Sequence, residues 1–259
     1  MTLTHEQVTH FRRVGYFRID NVIDDALADE LLACVAGDCP HLDSTVTPIS
    51  TAKQYRMYEQ HHSTMSRLVT HPDVVAAVSS ILGPNVVFVT NRHNQSAMNY
   101  PGNVDTRLHR DVLHWSRNVI TVVAYLADAN EQNGCTCVVP GSQHLPLVGV
   151  PQAAGGGTWM ELHPEFEGLL DQAIPVPVRR GGILIFDGLL FHAAGANNTT
   201  SPRPAVVLGY RSVDELEADP DPANQILVAG RRIYRGNDRP ADVFWTIAGP
   251  GSSAPAAAS

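Results

Sequence analysis

Apolar residues recur at helical spacing three times before residue 85 and in short strand-like runs after it, and this change of texture divides the chain. Thr4-His5-Glu6-Gln7 has the form of a capping box, a Thr at the N-cap with a Gln three positions on. Val8 and Phe11 continue an apolar stripe up to Gly15, so the spacing predicts a helix over 5–14. Tyr16 to Asp20 alternates like a short strand. Asp24 then opens a second amphipathic helix, Ala26 to Ala36, which Gly37 is expected to stop. Residues 38–58 are polar, contain proline and lack a period; they read as a long surface loop bordering the mouth of a site, because loops of that length are usually functional or disordered. Pro72 at a start and Gly83-Pro84 at an end frame a third helix, 72–82.

From residue 85 the runs are Asn85–Thr90, Gln95–Tyr100, Leu108–Leu113, Val119–Leu126, Cys135–Val139, Ile183–Asp187 and Ala205–Arg211, with turns at Asn133-Gly134 and Pro140-Gly141. That is the rhythm of an antiparallel sandwich, jelly roll or barrel, not of βαβ units. An insertion over 145–180 holds Ala153-Ala154-Gly155-Gly156-Gly157 and then Trp159, with a short helix expected near 164–172. A glycine hinge beside an aromatic suits a lid, and it suits a flexible surface excursion equally well. The expected organisation is one mainly β domain over 1–248, with helical decoration over 1–84 and a β core over 85–213, followed by a disordered tail, 249–259.

Charge narrows the function classes. Lys and Arg number 18 against 26 Asp and Glu, a net charge of −8, which argues against a nucleic-acid surface or an anionic membrane as partner and leaves a small-molecule substrate. The longest apolar stretch, Val119 to Ala127, is too short to span a bilayer. Met1-Thr2-Leu3-Thr4-His5 lacks a signal-peptide core, and Cys34, Cys39, Cys135 and Cys137 lack C-x2-C pairs, so a reduced cytoplasmic setting is expected. Nothing speaks to oligomeric state. G-x-S-x-G, G-x-G-x-x-G and Walker loops are absent from the sequence, so the serine-hydrolase, dinucleotide and nucleotide readings have no support.

The candidate chemistry sits in Arg107-Leu108-His109-Arg110-Asp111-Val112-Leu113-His114-Trp115. In an extended segment His109 and Asp111 share a face, and His192, just after the strand-like Gly182 to Asp187, supplies a second imidazole that a jelly roll brings opposite them. Two histidines and a carboxylate around an open coordination sphere form the facial triad of non-haem Fe(II) oxygenases. Among twelve histidines a lone His-x-Asp pair carries little weight, and the surroundings add the rest. Arg203 follows His192 by eleven residues, beyond the turn-like stretch 195–202; a hairpin there would lay it on the neighbouring strand, within reach of the same site. A guanidinium fixes a carboxylate bidentately, and a metal beside an Arg-anchored dicarboxylate suggests 2-oxoglutarate.

With these residues in place the sequence resembles the phytanoyl-CoA dioxygenase-like branch of the Fe(II)/2-oxoglutarate oxygenases, over about residues 5–213. The resemblance is strongest at Asn94-Gln95-Ser96-Ala97-Met98-Asn99, at His109-Arg110-Asp111, from Gly134 to His144 and from Gly181 to Arg203. It implies a double-stranded β-helix (jelly-roll) core with flanking N-terminal helices. It further implies that His109, Asp111 and His192 hold Fe(II), that Arg203 binds the distal carboxylate of 2-oxoglutarate, and that Gln95 and Asn99 occupy positions touching the cosubstrate's other end. Trp115 matches an aromatic lining the reaction chamber of a relative. Many members carry a Ser two residues after the distal histidine; here it is Ala194, so either another hydroxyl, Thr121 or Thr136, replaces it or Arg203 acts with fewer helpers. The implied reaction consumes O2 and 2-oxoglutarate, releases succinate and CO2, and oxidises a C–H bond of a small molecule, by default through hydroxylation. Related halogenases have a small residue where Asp111 stands, so halogenation is disfavoured. Desaturation, epimerisation and cyclisation remain open.

His114 and Trp159 are further substrate-wall candidates, along with Tyr55, Arg56, Tyr58 and Met160, and packing is the plainer role for each. His144 reads as a structural hydrogen-bonding residue, Cys135 and Cys137 as small core residues, and Asp187 as a turn former rather than a partner of His192. Two other classes stand beside the oxygenase reading. A 2-oxoglutarate-independent jelly-roll metalloenzyme would not need Arg203, Gln95 or Asn99, and an inactive, binding-only homologue would have little reason to keep the ligands.

Overall fold

The apolar runs of the second half are strands covered on both faces. A computed structural model of the chain describes residues 2–39, 51–104, 106–112, 119–146, 160, 164–213, 215 and 222–231. The helices are α1 (His5–Val14), α2 (Asp25–Asp38), α3 (Met57–Gln60), α4 (His62–Val69) and α5 (Pro72–Leu82). The strands are β1 (Tyr16–Ile19), β2 (Thr51–Tyr55), β3 (Val86–Val89), β4 (Asn94–Asn99), β5 (Ile120–Tyr125), β6 (Thr136–Val138), β7 (Ile174–Pro175), β8 (Ile183–Asp187), β9 (His192–Ala194), β10 (Arg203–Ser212) and β11 (Gln225–Ala229). A large antiparallel sheet runs β1-β8-β5-β10-β3-β11, with β4 pairing both β10 and β2, and a three-stranded sheet runs β7-β6-β9.

The period of two assigns each strand's residues to two cores. On β5 and β8, Ile120, Val122, Ala124, Ile183 and Ile185 pack with Phe11, Leu31, Met65, Leu68 and Val78 of the helices. Their neighbours Val123, Tyr125, Leu184 and Phe186 face inward and meet Cys135 and Val138 from the smaller sheet. This gives three layers: helices, large sheet, small sheet. It also explains why β5 and β8 read as continuous apolar runs instead of alternating ones. The open sandwich is the jelly roll expected from the sequence, and it is not a closed barrel.

α1 begins with the predicted capping box, Gln7 N donating to Thr4 Oγ1 at 3.3 Å and Thr4 N to Gln7 Oε1 at 2.8 Å, and ends at Gly15 with φ 88°. α5 lies where predicted. α2 runs past Gly37 to Asp38, because a glycine in a last turn with no atom near its Cβ position costs about 1 kcal/mol and does not end a helix. The stretch 38–58 is not one loop: 51–55 is an edge strand against β4 and 57–60 a helical turn, while 40–50 lies outside the described residues. Of the expected strand 108–113, the described part, 108–112, holds a single bridge, His109 to His192, and residue 113 lies outside the described residues. Gly134, at φ +76°, leaves no room for a Cβ, which would strike the Asn99 amide and the Gly195 carbonyl; this closeness locks β4 onto the smaller sheet's edge. Among the described residues no helix is long and apolar enough to cross a membrane. The proposed tail, 249–259, and most of the proposed lid lie outside the described residues.

Candidate active site

His109 and His192 are tied to one another by their own backbones, since His109 N donates to His192 O and His192 N to His109 O, both at 2.9 Å. Asp111 N and Val112 N then both donate to Gly188 O, turning the chain so that Asp111 faces the same point without a regular strand. One ligand atom from each of His109, Asp111 and His192 lies within 4.8 Å of the others, and the two imidazoles are tilted at 47° with centroids 4.5 Å apart. His192 Nδ1 donates to Leu190 O at 2.9 Å, which fixes the tautomer and turns the Nε2 lone pair toward Asp111, 3.5 Å away. His109 has a similar local contact, Nδ1 to Arg107 O at 3.4 Å.

The electrostatics prepare a cation site. Burial depresses both imidazoles, and the His192 neighbour adds to this at His109, which falls to about 3; both rings are therefore neutral donors at physiological pH. Burial acts to raise the Asp111 carboxyl, but the His93 and His192 imidazoles outweigh it and hold the group well below the usual carboxylate range. Asp111 is also held mechanically, Oδ2 accepting from Thr121 Oγ1 at 2.7 Å and Oδ1 facing His93 Nε2 at 3.1 Å. Thr121 Oγ1 in turn meets His93 Nδ1 at 3.2 Å. His93 is the residue that sequence reasoning missed. It lies in a polar turn, Asn91-Arg92-His93-Asn94, with left-handed backbone (φ 50°), and no spacing rule connects it with a motif some sixteen residues on.

Arg203 opens β10, opposite Asn99 on β4. The turn after His192 does not make the expected hairpin: β9 belongs to the small sheet and β10 to the large one, so His192 and Arg203 face each other across the sandwich. They line one cavity of about 110 Å³, together with His109, Asp111, Gln95 and Thr136. The Arg203 guanidinium lies over the Tyr125 ring, 5.3 Å from its centroid, and its buried Nε has no hydrogen-bond partner among the described residues. Of the two candidate hydroxyls, Thr121 is committed to Asp111. Thr136 stands directly across from Ala194 in the β6–β9 register, with its Oγ1 2.6 Å from Tyr125 OH. Asn99 is oriented otherwise: its amide donates to Gly134 O (3.3 Å) and Gly195 O (3.1 Å), and the cavity lining does not include it. His114, Trp115 and Trp159 lie outside the described residues. His144 is bound to the end of α1, Nε2 to Arg12 O at 3.0 Å.

The residues fit an octahedral divalent iron with a dicarboxylate beside it. Two neutral imidazoles and one ionised carboxylate leave the rest of a coordination sphere to other ligands, and an orphaned buried guanidinium in the same cavity leaves a carboxylate to be accounted for. Asp187 is not part of this set. Its Oδ1 accepts from Leu189 N at 2.9 Å, forming the turn that leads to His192. Burial pushes its carboxyl up to about 6, so the folded state holds a proton that the unfolded chain releases near pH 4. Stability is lost as pH rises between those values. Asp187→Asn should therefore raise the melting temperature at pH 7.5, by the equivalent of about 1–2 kcal/mol, with the gain vanishing below about pH 4 in melts across pH.

The profile of the phytanoyl-CoA dioxygenase (PhyH) family matches residues 11–205. The chain is 26% identical over 152 residues to phytanoyl-CoA dioxygenase domain-containing protein 1 of Mus musculus, a match covering 56% of this chain and 52% of that one, so the chain spans about half the length of that relative. It is 26% identical over 252 residues to the ectoine dioxygenase of Nocardia farcinica, covering 83% of this chain and 80% of the other. The solved structure of the epimerase SnoN in complex with Fe3+, alpha ketoglutarate and nogalamycin RO superposes with a TM-score of 0.63 at 22% identity, covering 81% of this chain and 83% of that one. A match extending from α1 into β10, on a jelly roll that brings a His-Asp-His cluster together, places this chain in the phytanoyl-CoA dioxygenase family.

Proposed function

We propose that the protein is an Fe(II)/2-oxoglutarate-dependent oxygenase that hydroxylates a C–H bond of a small molecule. The observation that carries this reading is the buried, unpartnered Arg203 Nε in the same cavity as the His109, Asp111 and His192 cluster. A jelly-roll metalloenzyme that needs no cosubstrate has no use for such a cation. SnoN, solved with Fe3+ and alpha ketoglutarate, supports these cofactors, and the ectoine dioxygenase relative supports a dioxygenase.

His109 and His192 bind the metal as neutral imidazoles, and Asp111 as a carboxylate whose rotamer Thr121 and His93 hold. Arg203 anchors the distal carboxylate of 2-oxoglutarate, and Thr136, polarised by the Tyr125 hydroxyl, provides the oxygen that Ala194 lacks. Gln95 lines the cavity beside them, and Phe186, Val123 and Val207 wall off water. Bound there, iron with 2-oxoglutarate and O2 supplies the oxidising equivalents for C–H cleavage, with succinate and CO2 as co-products. The protein's own contribution is placement: which C–H bond is presented, and how the substrate is held after cleavage, sets hydroxylation apart from the epimerisation named for SnoN.

Anaerobic titration of the protein with Fe(II) and then 2-oxoglutarate tests this directly. A visible metal-to-ligand charge-transfer band should rise and saturate at one equivalent. Iron binding without any band would remove the cosubstrate and with it the oxygenase reading.

A further inference from the structure

The cavity opens into a larger pocket of about 380 Å³, which shares Lys53, His93, Gln95, His109 and Asp111 with it. Lys53, Arg56, Arg92 and Arg110 line this outer pocket, and among the described residues that line it Asp111 is the one carboxylate. Arg110 is already committed, donating to the Pro146, Ser142 and Leu145 carbonyls with its guanidinium 4.3 Å from the Phe191 ring centroid. The nearby Glu59 is bound to the Asn94 amide at 2.7 Å. Arg92 is half-buried, and its Nε is without a hydrogen-bond partner among the described residues.

A charge count on the proposed holo site leaves these cations over. Fe(II) and Arg203 together offset Asp111 and the two carboxylates of 2-oxoglutarate, so Lys53, Arg56 and Arg92 remain unbalanced, in a chain whose net charge is −8. Placing three like charges around one pocket is unfavourable unless an anion enters it. Backbone strain points to the same place. Among the described residues three non-glycine residues have left-handed φ, and two of them, Arg56 (φ 65°) and His93 (φ 50°), line this pocket. Tyr55, 60% exposed, stands at the rim as an aromatic surface.

We infer that the primary substrate is an anion, its carboxylate or phosphate held by Arg92 and Arg56 with Lys53 beside them, and its apolar part against Tyr55. This rests on the oxygenase reading for the position of the reacting carbon, and the cation cluster is tested separately from it. The probes are 4-phenylbutyrate, 4-phenylbutyramide and 4-phenylbutylamine, which share a shape and differ in charge. Their binding is measured calorimetrically, without oxygen, on protein carrying one equivalent each of Fe(II) and 2-oxoglutarate. The acid should bind at least about tenfold tighter than the amide, with the amine weakest. Arg92→Gln and, separately, the exposed-site variant Arg56→Gln should each shrink that preference. Equal binding of acid and amide, no binding of any probe, or a preference that survives both substitutions would overturn the inference. The charge-transfer band of the same samples separates the two ideas. A band without anion preference sinks only the substrate class, whereas an Arg-dependent anion preference without a band keeps the anion site and sinks the oxygenase reading.

Discussion

Asp111→Ala should lose iron binding and turnover together, with kcat/KM falling by more than about a thousandfold. His109 and His192 stay bridged through their backbones, so the two imidazoles keep their places, but the site loses its one anionic ligand. Two neutral nitrogens compete poorly with water for a hard divalent cation. The loss also releases Thr121 Oγ1 and His93 Nε2 from the carboxylate, leaving polar atoms with reduced satisfaction at a cost of about 1–3 kcal/mol in stability. A melt in the absence of metal separates that structural cost from the ligand effect, because the structural part appears without iron and the ligand part does not. Succinate release measured at saturating Fe(II) is the deciding number. Turnover close to wild type in a folded Asp111→Ala protein would remove Asp111 from the metal set.

The residues of this site differ in how legible they were. His109, Asp111, His192 and Arg203 stand out as candidates in the sequence because their chemistry depends on residue type and on the strands around them, and the fold brings them to one cavity. His109 and Asp111 do not share a face through regular strand alternation; the turn that points Asp111 inward is set by Gly188 O, far along the chain. Arg203 reaches the cavity across the sandwich and not through a hairpin. β2 has no strand signature in the sequence, because an edge strand takes its stability from backbone pairing with β4, and its Lys53 and Tyr55 look like loop residues without that partner. α4 was missed for a related reason: Met65, Leu68 and Val69 form a short stripe among His, Ser and Thr, below the length at which a helical period stands out. His93 and Arg92 were invisible because a tertiary approach places them, Gly209 giving the Arg92 carbonyl room where a Cβ would lie 2.7 Å from it.

Arg203→Ala should raise the apparent KM for 2-oxoglutarate by about 30- to 1,000-fold while Fe(II) binding is unchanged. The range corresponds to losing a charge-assisted, bidentate carboxylate contact of about 2–4 kcal/mol. The metal should be indifferent, because Arg203 stands on the opposite sheet from His192 and hydrogen-bonds to none of the three ligands. Removing the guanidinium also takes the cation off the Tyr125 face, yet the Tyr125–Thr136 hydroxyl pair remains, so some affinity for the distal carboxylate should persist. That residue of binding predicts a split: KM rises steeply, and kcat at saturating 2-oxoglutarate falls much less, since the chelating end of the cosubstrate is placed by the metal. Arg203→Lys should recover only part of the loss, because an ammonium keeps the charge and gives up the fork. If neither variant changes the 2-oxoglutarate KM, the buried cation serves packing against Tyr125 alone, and the cosubstrate must be anchored elsewhere along the same sheet, where Lys53 and Gln95 also line the cavity.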